Sequence, residues 1–253
     1  MGEALISGLV SSRFPKAQIV FTEKRADRAR EIAAKYGARE VELAELVKTS
    51  DVILLVVKPQ DLAALLGSIS KDLSKGALLV SFAAGKATSF ISERVGPGVG
   101  VIRVMPNTPT LIGLGMAAIS PGANVTNEQV TFVSEFLATC GKVIEIDEKL
   151  QDAVTALSGS GPAYFFAFVE EIIKSGVRLG LSHEEATTLA IQTIVGSAAM
   201  LEQSGKSATT LRENVTSPNG TTAAALKVFS DANLGEIIAK AMTAARDRSQ
   251  ELA

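Results

Sequence analysis

The hexapeptide Ser217-Pro218-Asn219-Gly220-Thr221-Thr222 joins a turn to a helix start. Ser217 to Gly220 reads as the turn, and Thr221-Thr222 as the first helical residues. Backbone N–H groups at such an entrance, together with the helix dipole, bind a carboxylate or another anion. The two threonine hydroxyls add hydrogen-bond donors. The plainer reading is an ordinary capped helix start. Asn219 sits where the turn calls for positive φ, and Asn is the side chain that best tolerates it.

Hydrolytic chemistry has few candidates elsewhere. His183 is the single histidine, and no pair of carboxylates with a neighbouring histidine appears where hydrolysis would need one. His183 lies in Leu181-Ser182-His183-Glu184-Glu185-Ala186, where Ser182 and Glu185 have capping-box spacing. It therefore reads as an exposed first-turn residue. The single cysteine, Cys140, excludes an internal disulfide and a cysteine-cluster metal site. Any catalysis then draws on an organic cofactor rather than on a metal.

Such a cofactor needs a lip of strand ends, and the first half of the chain supplies one. An apolar-periodic helix from Ala4 to Leu9 opens the sequence. The run Ile19-Val20-Phe21 follows, then Thr22-Glu23-Lys24-Arg25, then a helix to Tyr36 capped by Gly37. A short helix near 42–48 precedes Asp51 to Val57, a continuous apolar run expected to be a strand buried on both faces. Pro59 suits the start of a helix reaching about Ile69. Strands are expected at 77–82, 100–104, 115–119 and 142–146. Helices are expected at 88–95 and, capped by Thr126 with Gln129, up to Ala138. Met105-Pro106-Asn107-Thr108-Pro109 reads as a loop because two prolines break regular structure. This alternation predicts a Rossmann-like, doubly wound parallel sheet. Its ligand edge is the tails Thr22 to Lys24, Lys58-Pro59, Ala83-Ala84 and Met105 to Asn107.

From about Asp147 the strand signals stop. Helices are expected at 162–176, 183–203, 207–213, 222–229 and 234–251, so the division is a dinucleotide-binding domain over 1–147 and a helical domain over 148–253. The stretch Leu157 to Tyr164 reads as the hinge between them. In it, Gly159 and Gly161 allow a tight turn, Ser160 caps and Pro162 enters the first turn. The next helix carries Phe165, Phe166, Phe168, Val169, Ile172 and Ile173 on more than one face and must be buried on several sides. That apolarity predicts a homodimer through the helical domain, against the alternative of a self-contained bundle. Tyr164 reads as a packed core residue rather than a catalytic one.

Composition adds bounds. The 253 residues are 47% hydrophobic and 21% charged with net charge −2, which points to neither nucleic acid nor an anionic membrane surface. No apolar run is long enough to span a bilayer. No signal peptide is apparent, so a cytoplasmic setting is expected.

Four segments in order, "VVKPQD" (56–61), "VIRVMPNTP" (101–109), "DAVTALSGSGPAYFF" (152–166) and "ENVTSPNGTT" (213–222), resemble pyrroline-5-carboxylate reductase. The resemblance implies reduction of 1-pyrroline-5-carboxylate to L-proline by hydride from NAD(P)H, the final step of proline biosynthesis. It also implies a homodimer, extended to larger rings in some members. It places Thr222 as the catalytic, substrate-contacting threonine, with Ser217, Gly220 and Thr221 also binding substrate. Met1, Gly2, Val57, Lys58, Pro59, Ala84, Asn107 and Asn214 fall at cofactor positions. Lys24 and Arg25 stand where a 2′-phosphate sits, favouring NADPH with NADH as the alternative. Glu23 beside them could instead hold a ribose hydroxyl. Leu43 replaces a polar contact of some relatives.

Of the dinucleotide fingerprint G-x-G-x-x-G only the last glycine is present, as Gly2, with no strand before it. Losing a central strand costs roughly 1–3 kcal/mol per unpaired buried backbone group, so the expectation is that translation starts upstream. Rival readings are an imine or hydroxyacid reductase of the same architecture and a non-catalytic dimeric protein. Pro162 to Ile173 contains no lysine, which counts against the hydroxyacid enzymes. The intact 217–222 segment counts against a scaffold.

Overall fold

The helix α1, Gly2–Ser11, lies where the opening periodicity puts it. The structure, a computed structural model, describes residues 1–11, 15 and 18–252. β1 (Val20–Phe21) leads into α2 (Ala26–Tyr36), which ends at Gly37 with φ 68. β2 (Arg39–Glu40), α3 (Leu43–Thr49), β3 (Val52–Leu55) and α4 (Pro59–Ile69) follow, with Pro59 in the first turn. β4 (Leu78–Ser81), α5 (Thr88–Val95), β5 (Gly100–Pro106) and β6 (Gly115–Pro121) come next. α6 (Asn127–Ala138) starts on the complete Thr126/Gln129 capping box, and β7 is Gly141–Glu145.

β3 to β7 form one sheet in the order β3-β4-β5-β6-β7, and β1 pairs with β2 in a separate parallel ribbon. All neighbours in the larger sheet are parallel except β5 and β6, where Met105 faces Ala118 and Val104 faces Ile119. The exception has a simple cause. Only residues 107–114, including a 3₁₀ turn over Thr108–Ile112, connect β5 to β6. That is too short for the crossover a parallel pair needs. The expected loop at 105–109 is thereby corrected: Met105 and Pro106 remain in the strand.

Burial follows position in the sheet. All four β4 residues are buried, as are the first six of β5. β3 is an end strand, so Ile53 and Leu55 are buried while Val52 and Leu54 are half-buried, not covered on both faces as the run suggested. Under one face lie Leu62, Leu66, Leu79, Ile91 and Val101. Under the other lie Leu5, Val80, Val104, Ile119 and Phe136. Each such side chain contributes roughly 1.5–3 kcal/mol relative to exposure. α1 links the two sheets: Leu5 joins the larger core, while Ile6 and Val10 pack around Phe21 and Ile32. Gly8 permits this, because a Cβ there would collide with Cys140 and Thr139.

The boundary between the two units, at Pro162 and Ala163, falls within 157–164 as expected, but the tight turn and the Ser160 cap are corrected. α7 (Gln151–Val154) passes into a π turn, Thr155–Gly159, and then into α8 (Gly161–Arg178). Ser160 has helical φ −85 and ψ −18, so it is not an N-cap. The segment is a helix with an inserted residue, whose Ser160 N–H donates to Thr155 O at 2.8 Å.

α9 (His183–Gln203) opens on the Ser182/Glu185 capping box that the spacing predicts. α10 (Ala208–Asn214), α11 (Thr221–Asp231) and α12 (Leu234–Glu251) complete the chain. Two units are distinguished, Met1–Pro162 with Ala244–Ala253, and Ala163–Thr243. In the second, Phe165, Phe166, Val195 and Ile237 are each more than half exposed. Tyr164 is 38% exposed, so it is not a core tyrosine within one chain.

Candidate active site

β3, β4 and β5 are parallel neighbours, so their C-terminal ends share one edge of the sheet. Val57, Lys58 and Pro59 leave β3 there, Ala84 follows β4, and Asn107 follows β5. The start of α1 joins them, since a Cβ on Gly2 would stand 3.8 Å from Val56 Cγ1. Met1, Gly2, Val57, Lys58, Pro59, Ala84 and Asn107 thus come together within one unit.

α1, α4 and α5 begin along this edge, and the starts of α4 and α5 differ in capping. α4 has no capping side chain at Lys58, and Pro59 needs none for its own missing N–H. α5 is filled: the Glu148 carboxylate accepts from Thr88 N–H and from Thr88 Oγ1, both at 2.7 Å. An incoming anion is therefore directed to the start of α4 rather than to that of α5. In α1, Glu3 faces sideways onto α2. It accepts from Lys35 Nζ at 3.0 Å and from Tyr36 Oη at 2.9 Å, and pairs with Arg28. Lys35 foremost, then Tyr36, holds its pKa down at about 2 against the desolvation that would raise it.

Lys24 and Arg25 follow β1, and both are exposed. Arg25 is partly engaged: its guanidinium meets Asp27 at 3.2 Å and its N–H donates to Glu23 at 3.1 Å. Leu43 is packed against the core below the sheet, as an apolar residue should be.

In the second unit, Ser217 to Gly220 closes a turn through Gly220 N–H to Ser217 O at 3.1 Å, with Asn219 at φ 59. A Cβ on Gly220 would strike Ser217 Oγ and come within 3.2 Å of Ser217 O. Gly220 is the N-cap of α11 and brings no capping side chain. The first bond of the helix is Ala224 N–H to Gly220 O, so the N–H groups of Thr221 to Ala223 have no intrahelical partner. Thr221 is exposed and Thr222 half-buried. Asn214 ends α10 and is exposed. Ser217, Gly220, Thr221, Thr222 and Asn214 therefore belong to the helical unit.

Sequence reasoning missed a polar cluster behind the lip. Arg103, buried on β5, stands 3.7 Å from both Glu148 Oε1 and Asp152 Oδ1. Asp152 also accepts from Ser249 Oγ at 2.7 Å. An arginine inside an otherwise apolar strand, "VIRVM", was the available signal.

A mostly parallel sheet followed by helices is an architecture shared by oxidoreductases of the dinucleotide-binding class. Consistent with that, the family model described as "NADP oxidoreductase coenzyme F420-dependent" matches residues 1–85. The model for "Pyrroline-5-carboxylate reductase dimerisation" matches residues 148–252. The pyrroline-5-carboxylate reductase of Corynebacterium melassecola is 38% identical over 256 residues, covering 100% of this chain and 95% of its own. The solved reductase of Coxiella burnetii superposes with TM-score 0.94 at 32% identity, over 100% of this chain and 94% of its own. That of Plasmodium falciparum, solved with NADP bound, gives 0.89 at 31%, over 100% and 94%. The chain belongs to the pyrroline-5-carboxylate reductase family.

Proposed function

We infer that the protein reduces 1-pyrroline-5-carboxylate to L-proline with NAD(P)H, the final step of proline biosynthesis. The observation that carries the reading is the start of α11: an uncapped helix end with a pair of threonine hydroxyls, behind a turn in which Gly220 packs tightly on Ser217. A carboxylate is met there by the free N–H groups of Thr221 to Ala223 and by the turn at Ser217 to Gly220. The Thr222 hydroxyl oxygen accepts from the N–H of the protonated imine and favours that form. Positioning and electrostatics of this kind suffice for an imine that binds already protonated at nitrogen, because hydride added at carbon then gives the neutral amine with no further acid or base.

The residues fit a dinucleotide: the start of α4, which has no capping side chain, suits its phosphates, with Met1 and Gly2 at the start of α1 and Val57, Lys58, Pro59, Ala84 and Asn107 along the same edge. When bound, the nicotinamide supplies the hydride. Asn214 is assigned to the cofactor as well. Lys24 and Arg25 provide positive charge for a 2′-phosphate, which makes NADPH the preferred reductant over NADH.

The proposed domains are 1–147 and 148–253, in accord with a family model that begins at 148. The homodimer reading is supported by the exposed Phe165, Phe166, Val195 and Ile237, and a larger ring is compatible with it. No helix is long and apolar enough to cross a membrane among the described residues, and we assign the protein to the cytoplasm. The test is NADPH oxidation with pyrroline-5-carboxylate, run beside light scattering. Turnover by a particle of twice the chain mass or more is expected. A folded protein that ignores pyrroline-5-carboxylate but reduces another imine or a keto acid would overturn the substrate assignment.

A further inference from the structure

We propose that Ser158 is a positioning residue that fixes the Asn107 carboxamide at the cofactor edge; this rests on the assignment of Asn107 to the cofactor above. Asn107 Oδ1 accepts from the Met116 N–H at 2.9 Å, and Asn107 Nδ2 faces Ser158 Oγ at 3.3 Å. A backbone N–H can only donate, so the oxygen of the amide must face Met116 and the NH₂ must face Ser158. Asn107 thereby clamps the end of β5 to the start of β6, and one N–H and one lone pair stay free for a ligand.

Ser158 reaches Asn107 because of the π turn. The extra residue in Thr155–Gly159 rotates what precedes it by about 100° relative to α8. Gly159 lets this turn lie flat on the strand end, since a Cβ there would approach Met105 Sδ to 3.2 Å. The π turn is thus seated on β5 at Met105 and joined to it at Asn107. π turns inside helices are rare and concentrate at functional sites. Nothing else in the 155–159 segment accounts for the insertion: Thr155 Oγ1 donates back to Gln151 O at 2.9 Å, a bond an ordinary helix also makes.

The test uses the full chain with Ser158→Ala, Ser158→Thr and Asn107→Ala, and two readouts. One is NADPH affinity by fluorescence; the other is hydrogen exchange at the Met116 amide in the free protein. Loss of one hydrogen bond predicts that S158A weakens NADPH about threefold to tenfold and speeds Met116 exchange. S158T, which keeps the hydroxyl, restores both. In the N107A background S158A adds nothing, because its effect runs through Asn107. S158A equal to the wild type in either readout, or equally damaging with Asn107 removed, overturns the proposal. A folded wild type that binds no NADPH overturns the cofactor assignment itself, and this proposal with it; that failure shows in the wild type alone.

Discussion

Lys35 Nζ donates to Glu3 Oε1 across 3.0 Å and ties the last turn of α2 to the first turn of α1. Because Lys35, Tyr36 and Arg28 lower the Glu3 pKa from 4.5 to about 2, folding is favoured by the ionised carboxylate. That contribution is fully present above about pH 4.5 and is lost as pH falls through about 2. Glu3→Gln is expected to lower stability in urea titrations at pH 7, with the gap to wild type closing between pH 4.5 and 2. A gap that does not change with pH would contradict the assignment.

Arg103 is the single cation between Glu148 and Asp152 in the cluster behind the lip. Without the guanidinium, Glu148 keeps its bonds from Thr88 and Asp152 its bond from Ser249, so Arg103→Met is expected to cost about 1–3 kcal/mol in chemical unfolding. Ser249→Ala removes one hydrogen bond to Asp152 and is expected to cost about 1 kcal/mol. Equal stability of R103M and wild type would show the cluster to be dispensable.

Asn219 holds the turn before α11 at φ 59. Asn219→Gly is expected to leave the melting temperature and the KM for the imine near wild type. Asn219→Ala is expected to cost about 1–2 kcal/mol, the penalty of the left-handed region for a residue with a Cβ. Identical melting of the two variants would remove backbone strain as the reason for Asn at this position.

Thr222 offers a hydroxyl with no partner among the described residues. Thr222→Ala is expected to reduce kcat about 10–100-fold, the worth of a hydrogen bond to a charged group, with unchanged thermal stability. Thr222→Ser is expected to recover most of it. Unchanged turnover in T222A would take Thr222 out of the mechanism.

Much of this was legible because it is local. The apolar runs of β4 and β5, the Gly37 cap and the capping boxes at Thr126 and Ser182 each act within a few residues, and each formed as its spacing predicts. The turn at Ser217 to Gly220 is of the same kind. What escaped depends on partners distant in sequence. β2 consists of two exposed polar residues paired with β1, and no hydrophobic period marks it. Glu148 caps α5 from sixty positions away, and Ser158 meets Asn107 from fifty-one. The π turn was hidden because Ser160, Gly161 and Pro162 together resemble an N-terminal cap, although the backbone runs through them as helix.

The central claim is hydride transfer to the imine carbon of 1-pyrroline-5-carboxylate. The most direct measurement is mass spectrometry of the product formed with NADPH carrying deuterium at the transferable position of nicotinamide C4. The expected product is L-proline with one deuterium on the former imine carbon and none at the carbon bearing the carboxylate. Absence of proline, or proline without the label under conditions that consume NADPH, would contradict the account.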